Sequence, residues 1–227
     1  MTQPIEPLIR CEHVEKRFGH KRILRDVSFT VAEGEVLSLL GANGSGKTTL
    51  LRIISALVRP DKGEVWLGPV PLSSAADGIR RYIGVVAHAP LLYDRLSGIE
   101  NLDFYARLYD LAEPQKRIEK LLRTMDLWQW RDDAVRTYSR GMSQRLAIAR
   151  AVLHDPPVVI LDEPDTGLDL QGIQLLNELL AQLRSRGRAV FTTTHNLEHA
   201  KNWSDRVFEL RSGHLHQIEL PDRIEHR

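Results

Sequence analysis

Residues 41–48, GANGSGKT, fit the spacing G-x-x-x-x-G-K-[ST]. They follow the apolar run EVLSLLG (35–41) and open TTLLRIISAL, a stretch of good helix formers. Glycines at this spacing let the backbone curl until successive N–H groups face one anion, and a helix N-terminus adds its positive end. The pattern assigns Gly41, Ala42, Asn43, Gly44, Ser45, Gly46, Lys47, Thr48 and Thr49 to the phosphates of a nucleoside triphosphate. Lys47 is expected to reach the β- and γ-phosphates, and the Thr48 hydroxyl to bind Mg²⁺.

Two further strand ends carry matching chemistry. PVVILDE (157–163) closes on Asp162, placed to face the metal, and on Glu163, placed to orient or deprotonate an attacking water. RAVFTTTH (188–195) ends in His195. Strand C-termini of a parallel sheet line one crevice, so His195 is expected to face the γ-phosphate. RYIGVVAH (81–88) delivers His88, which by itself reads as a catalytic base, a metal ligand or a replacement for another polar residue. In YSRGMSQRLAIARAVLHDP (138–156) a small polar loop with Ser139 and Gly141 leads into a helix, a second anion site in a chain that already holds one phosphate cradle. G-M-S-Q-R lacks the last glycine of a G-x-S-x-G nucleophile elbow, which argues against a hydrolase serine.

Positioning these residues requires a parallel sheet. The four runs just quoted are continuously apolar, as strands covered on both faces must be. LIRCEHVEKRF and ILRDVSFTVAEGE read instead as antiparallel strands, and RVFELRSGHLHQI (206–218) as a terminal hairpin around Ser212-Gly213. Helical stripes recur at Leu102, Tyr105, Ala106 and Tyr109, at Ile118, Leu121, Leu122 and Met125, and at Leu176, Leu179, Leu180 and Leu183. The expected organisation is one α/β nucleotide-binding core over 1–90 and 156–227, with a helical subdomain inserted over 91–155 and its Trp128 and Trp130 in the core.

With 227 residues the chain suits one domain carrying an inserted subdomain. Its 31 Lys+Arg against 30 Asp+Glu argue against nucleic acid as a partner. Cys11 is the sole cysteine, so neither an internal disulfide nor a cysteine zinc site can form, and it is assigned to a buried strand position. No run of ~18 apolar residues occurs, and MTQPIEPLIRCEHVEKRF carries no secretory signal. A soluble cytoplasmic chain is expected, and, with few residues after the hairpin, no regulatory domain is expected there.

Together these features resemble, over essentially the whole chain, the nucleotide-binding subunits of ATP-binding-cassette (ABC) transporters. SRGMSQR (139–145) resembles the family's signature, usually Leu-Ser-Gly-Gly-Gln; Tyr138, Arg140 and Met142 depart from it, whereas Ser139 and Gly141 are retained. EPDTGLD (163–169) resembles the loop that runs between two ATP sites, with Asp169 as its acidic residue, and Phe18 matches the aromatic that stacks on adenine. In IGVVAHAPLLYDRLSGIENL (83–102), His88 stands where the family usually has a glutamine near Mg²⁺ and the attacking water. Neutral histidine keeps one donor and one acceptor, so it suits that role.

The resemblance implies a P-loop NTPase core, a RecA-like parallel sheet with an antiparallel β subdomain and an inserted α-helical subdomain. It implies ATP and Mg²⁺ as ligands, with His88 and Asp162 beside Thr48 at the metal. It also implies a head-to-tail homodimer or paired ABC subunit, in which Ser139 and Gly141 meet a γ-phosphate across the interface. An integral membrane permease is the implied partner, approached by the loop after His88, where Leu91, Leu92 and Tyr93 are docking or core residues. The chain would then sit on the cytoplasmic face of the cell membrane. His88-Ala89-Pro90, with Glu100-Asn101-Leu102, Phe104-Tyr105-Ala106-Arg107-Leu108-Tyr109 and the Ser-Arg-Gly-Met signature, narrows the likeness to the ATP-binding subunit of the haem exporter in cytochrome c biogenesis. The competing assignments are a multidrug-type exporter subunit, a soluble cassette acting on DNA or ribosomes, and a nucleotide kinase.

Overall fold

The computed structural model describes residues 7–75 and 77–220; the tail beyond Leu220 lies outside the described residues. β1 (Ile9–Phe18) and β2 (Lys21–Val31) form an antiparallel hairpin. Alternation puts Ile9, Cys11 and Val14 of one strand and Val27, Phe29 and Val31 of the other into the core. β3 (Val36–Leu40) leads into the phosphate loop and α1 (Lys47–Ile54). α1 stops short of the helical run in the sequence because Ala56 takes a left-handed conformation, φ 58°. β4 (Lys62–Leu67) and β5 (Val70–Pro71) complete a four-stranded sheet in the order β2-β1-β4-β5.

β6 (Ile83–Val86) is shorter than the run 81–88 suggests, because a 3-10 helix over Asp77–Tyr82 takes its first residues. Two helices follow. α2 (Gly98–Leu108) begins in a capping box, with Ser97 and Glu100 each binding the other's backbone N–H. α3 (Pro114–Thr124) begins at a proline, whose missing N–H costs nothing at a first helical position. α4 (Arg140–Val152) is capped by Ser139, α5 (Leu170–Ser185) by Asp169, and α6 (Leu197–Trp203) by Asn196. Between and after them lie β7 (Val158–Asp162), β8 (Ala189–Thr193), β9 (Arg206–Arg211) and β10 (His214–Ile218).

The second sheet runs β10-β9-β3-β8-β7-β6, parallel throughout except for the β9–β10 hairpin. β3, β7 and β8 are buried at every position, which is why they read as unbroken apolar runs. Successive residues of β7 serve opposite faces. Val158 and Ile160 pack with α1 and the antiparallel sheet, while Val159 and Leu161 pack with α2–α5. The inserted helices therefore share one continuous apolar cluster with the parallel sheet, centred on fully buried residues such as Leu102, Leu122 and Leu146. Each such side chain contributes about 1.5–3 kcal/mol relative to exposure.

Three expectations need adjustment or gain support. Trp130 is not core: it is half exposed. Trp128, in the same short 3-10 turn, lies between the guanidinium groups of Arg123 and Arg131, 4.5 and 4.4 Å from the ring centre. These cations lie over its ring, while Trp128 itself packs, partly buried, against the core cluster as expected. An isolated antiparallel bridge joins Ser97 to Ala134 in a region where no strand pairing is expected. Cys11 is buried as expected, and burial pushes its thiol pKa far up, so it stays protonated and unreactive.

Candidate functional site

The loops carrying His88, Glu163, His195 and the phosphate cradle all leave the same edge of the parallel sheet. β3, β8, β7 and β6 are neighbours in that order, with Leu39 opposite Thr193, Thr193 opposite Asp162, and Leu161 opposite Val86. The C-terminal ends are thus level, and the residues just beyond them converge.

The phosphate loop is held by backbone conformations that suit glycine. Gly46 has φ 114°, and a Cβ there would fall 2.8 Å from Ile23 Cγ2. Gly46 caps α1 without any side-chain hydrogen bond, so the first-turn N–H groups of Lys47, Thr48 and Thr49 stay available to an anion. Lys47 is buried, and its Nζ donates to Gly41 O at 2.7 Å, which folds the side chain back over the loop. Ala42, Asn43, Gly44 and Thr48 are exposed, and the Ser45 hydroxyl is buried without a hydrogen-bond partner. Beside the loop lies a cavity of ≈ 730 Å³ bounded by His20, Lys21, Arg22, Ile23, Gly44 and Ser212, with a basic lining suited to a polyanion. Phe18 ends β1 just before that wall and is 56% exposed, with Lys16 Nζ 5.7 Å from its ring centre.

Glu163 Oε1 lies 3.8 Å from Lys47 Nζ, so the acidic strand end and the phosphate loop meet. Asp162 is buried, and its Oδ1 accepts a hydrogen bond from Thr193 Oγ1 at 2.7 Å. Glu163 has a left-handed backbone, φ 48°, and its N–H donates to Thr193 O at 3.1 Å and to Thr193 Oγ1 at 3.0 Å. A non-glycine residue persists in that region only when its surroundings hold it. His195 and His88 are both exposed beyond their strands.

Ser139 and Gly141 sit apart from this group. Ser139 is exposed at the start of α4, and its Oγ accepts from Met142 N at 3.2 Å, which leaves its own O–H free to donate outward. The first turn of α4 packs on the loop after Glu163. A Cβ on Gly141 would come 3.0 Å from Gly167 O, and Gln144 Nε2 donates to Pro164 O at 3.2 Å. Among the described residues, no hydrogen bond joins Ser139 or Gly141 to the phosphate loop of the same chain. Asp169 is engaged locally, its Oδ1 accepting Gly172 N at 2.8 Å to cap α5, and Leu170 beside it is 92% exposed.

The departures around the signature have structural partners. The Tyr138 hydroxyl donates to Trp130 O at 2.7 Å, and burial pushes its pKa up to about 12. The Arg140 stem covers Gly167, and Met142 packs against the helical side of the core. Several residues that hold the site were not singled out from the sequence: Thr193, Thr194, Asp165, His199 and Gln144. A signal existed for the threonines, since three hydroxyls in a buried apolar strand must find partners.

Comparison with known proteins agrees with this geometry. The ABC transporter family model matches residues 24–166. The chain is 39% identical over 212 residues to the Nod factor export ATP-binding protein I of Burkholderia lata, covering 92% of this chain and 69% of that protein. It is 38% identical over 218 residues to the doxorubicin resistance ATP-binding protein DrrA of Mycobacterium tuberculosis, covering 94% and 66%. Among solved structures, the dimeric post-hydrolysis state of the ATP-binding cassette MJ0796 bound to ADP and Pi superposes with a TM-score of 0.83 at 28% identity, covering 94% of this chain and 99% of that one. The chain belongs to the ABC transporter family, as an ATP-binding cassette with the P-loop α/β fold and ATPase activity.

Proposed function

We propose that this cassette hydrolyses ATP as a head-to-tail dimer, either with a second copy or with a paired ABC subunit, and drives a separate membrane permease that exports its cargo. The approach of Lys47 to Glu163, at 3.8 Å on the shared sheet edge, carries the hydrolytic part of this reading. The core spans 1–90 and 156–227, and the helical subdomain 91–155. Residues 41–49 cradle the phosphates, Lys47 holds the β- and γ-oxygens, and Phe18 stacks on adenine. Glu163 orients the attacking water and takes its proton as the bond from the γ-phosphorus to the bridging oxygen breaks, giving ADP and phosphate. His195 donates to the γ-phosphate. Ser139 and Gly141 of the opposite subunit complete its cage, and Asp169 lies in the loop between the two sites.

The acidic set fits Mg²⁺. Among the described residues no group of three or more His, Cys, Asp or Glu could hold a metal alone, and Mg²⁺ bound to a nucleotide needs only one or two carboxylates beside phosphate oxygens. Thr48, Asp162 and His88 would hold it; when bound, the ion neutralises charge between the β- and γ-phosphates.

No helix among the described residues is long and apolar enough to cross a membrane; the path is assigned to a separate permease. Leu91, Tyr93, Phe104 and Leu108 are exposed apolar residues clustered after His88, while Leu92 packs inward. They suit docking of a permease on the cytoplasmic face. Names of relatives that refer to export and drug resistance support an exporter. The narrower reading, haem export, rests only on sequence likeness: His88-Ala89-Pro90, Glu100-Asn101-Leu102, the run 104–109 and the signature at 139–142. Affinity purification of the tagged chain from detergent-solubilised membranes tests the proposal. Recovery of an integral membrane protein is expected, and recovery of ribosomes or DNA in its place overturns it.

A further inference from the structure

We propose that Asp165 is a positioning residue that sets Glu163 and His195 relative to each other. This deepens the reading above and rests on those two residues acting on ATP. Asp165 lies two residues after Glu163 and is buried. One of its oxygens, Oδ2, accepts two hydrogen bonds: from Thr194 Oγ1 at 2.9 Å and from His199 Nδ1 at 2.7 Å. Thr194 immediately precedes His195, and its hydroxyl also accepts from Asn196 N at 3.0 Å. Asn196 in turn caps α6, which carries His199. His195 is therefore bracketed on both sides by groups that converge on a single buried oxygen.

The other end of the clamp is equally fixed. Thr193 binds the Glu163 N–H through both its carbonyl and its hydroxyl, and the same hydroxyl donates to Asp162. Glu163 is held in its left-handed conformation from two directions, by Thr193 at its own backbone and by Asp165 two residues on. Hydrogen bonds to an ionised acceptor are stronger than neutral ones, and burial keeps water from replacing them. The loop over residues 163–169 and the loop carrying His195 thus behave as one unit, with Asp165 as the joint. Among the described residues no hydrogen bond or ion pair of the Asp165 side chain reaches the phosphate loop, so the clamp acts on the geometry of hydrolysis and leaves nucleotide affinity alone.

The test compares steady-state ATP hydrolysis with fluorescent-nucleotide binding in the full chain. Asp165→Asn is expected to lower kcat about tenfold, the effect of one misplaced charge-assisted hydrogen bond, while the Kd for nucleotide stays within about twofold. Thr194→Val should do the same, and the double variant should be little worse than either single one, as for one shared unit. His199→Asn keeps a nitrogen donor at the Nδ1 position and should retain most of the activity that His199→Ala loses. If Asp165→Asn fails to fold, Thr194→Val and the His199 pair carry the test by themselves. Normal kcat in Asp165→Asn or Thr194→Val, loss of nucleotide affinity in step with kcat, or equal activity of the two His199 variants would overturn the proposal. Glu163→Gln measured alongside separates the two levels. If it hydrolyses ATP normally, the reading of Glu163 falls and the clamp with it; if it is inactive while Asp165→Asn is normal, the clamp alone falls.

Discussion

Replacing His154 with phenylalanine should make this protein's stability less sensitive to acid. His154 follows α4 and stacks flat on Tyr109 of the helical subdomain, with ring centroids 3.8 Å apart and 9° between planes. Neither ring nitrogen has a hydrogen-bond partner. Burial, above all, pushes its pKa from 6.5 down to about 4, with the nearby Arg117 and Arg150 charges acting the same way and the Ile83 backbone, short of a full hydrogen bond, offsetting part of it. The unfolded chain then takes up this proton at a higher pH than the folded one. The contribution is present in full above about pH 6.5 and is lost as the pH falls toward about 4. At about 1.4 kcal/mol per pH unit the whole window spans about 3.5 kcal/mol. Because the ring is only partly buried, the loss between about pH 7.5 and about pH 5 should be nearer 1–2 kcal/mol. Phenylalanine preserves the stack and removes the titration. Urea unfolding of both proteins at the two pH values isolates the term, since every other group is common to both. An identical pH dependence in wild type and His154→Phe would refute the assignment.

Two other substitutions probe the scaffold and the site. Gly84→Ala should destabilise the fold by about 3 kcal/mol or more, because a Cβ there would lie 2.1 Å from Ala151 O and 2.8 Å from Pro156 Cγ, leaving β6 and α4 unable to pack; a denaturant midpoint like that of wild type would contradict this. His88→Gln should keep ATP hydrolysis within about twofold of wild type, since an amide supplies the same donor and acceptor pair; a loss of activity would show that the imidazole has a role of its own.

The sequence made the phosphate loop legible because its chemistry is local: glycine spacing, a preceding strand and a following helix suffice. Asp162, Glu163 and His195 were legible for a related reason, since each closes an apolar run and parallel strands end on one edge. The antiparallel sheet and the terminal hairpin could be read from turns and alternation. What holds these residues in place could not. Asp165 meets His199 from 34 positions away, and Thr193 meets Asp162 across a strand pair, so neither contact leaves a periodic trace. Trp130 looks like core by composition yet is half exposed, whereas Trp128 does pack on the core, with two arginines over its ring. Ser139 and Gly141 are a different case. Their helix cap is evident in one chain, but the partner proposed for them belongs to a second subunit, which a single chain does not contain.

Closure of a second subunit on ATP is the central step of the proposed cycle. The most direct measurement is light scattering of the Glu163→Gln variant with and without ATP and Mg²⁺, together with a count of bound nucleotide. For a homodimer the mass should double only with ATP, with one unhydrolysed ATP per chain, and the doubling should be lost when Ser139 or Gly141 is also replaced by a bulky residue. A variant that holds ATP as a monomer would exclude the homodimer, and one that hydrolyses it at the wild-type rate would remove Glu163 as the base.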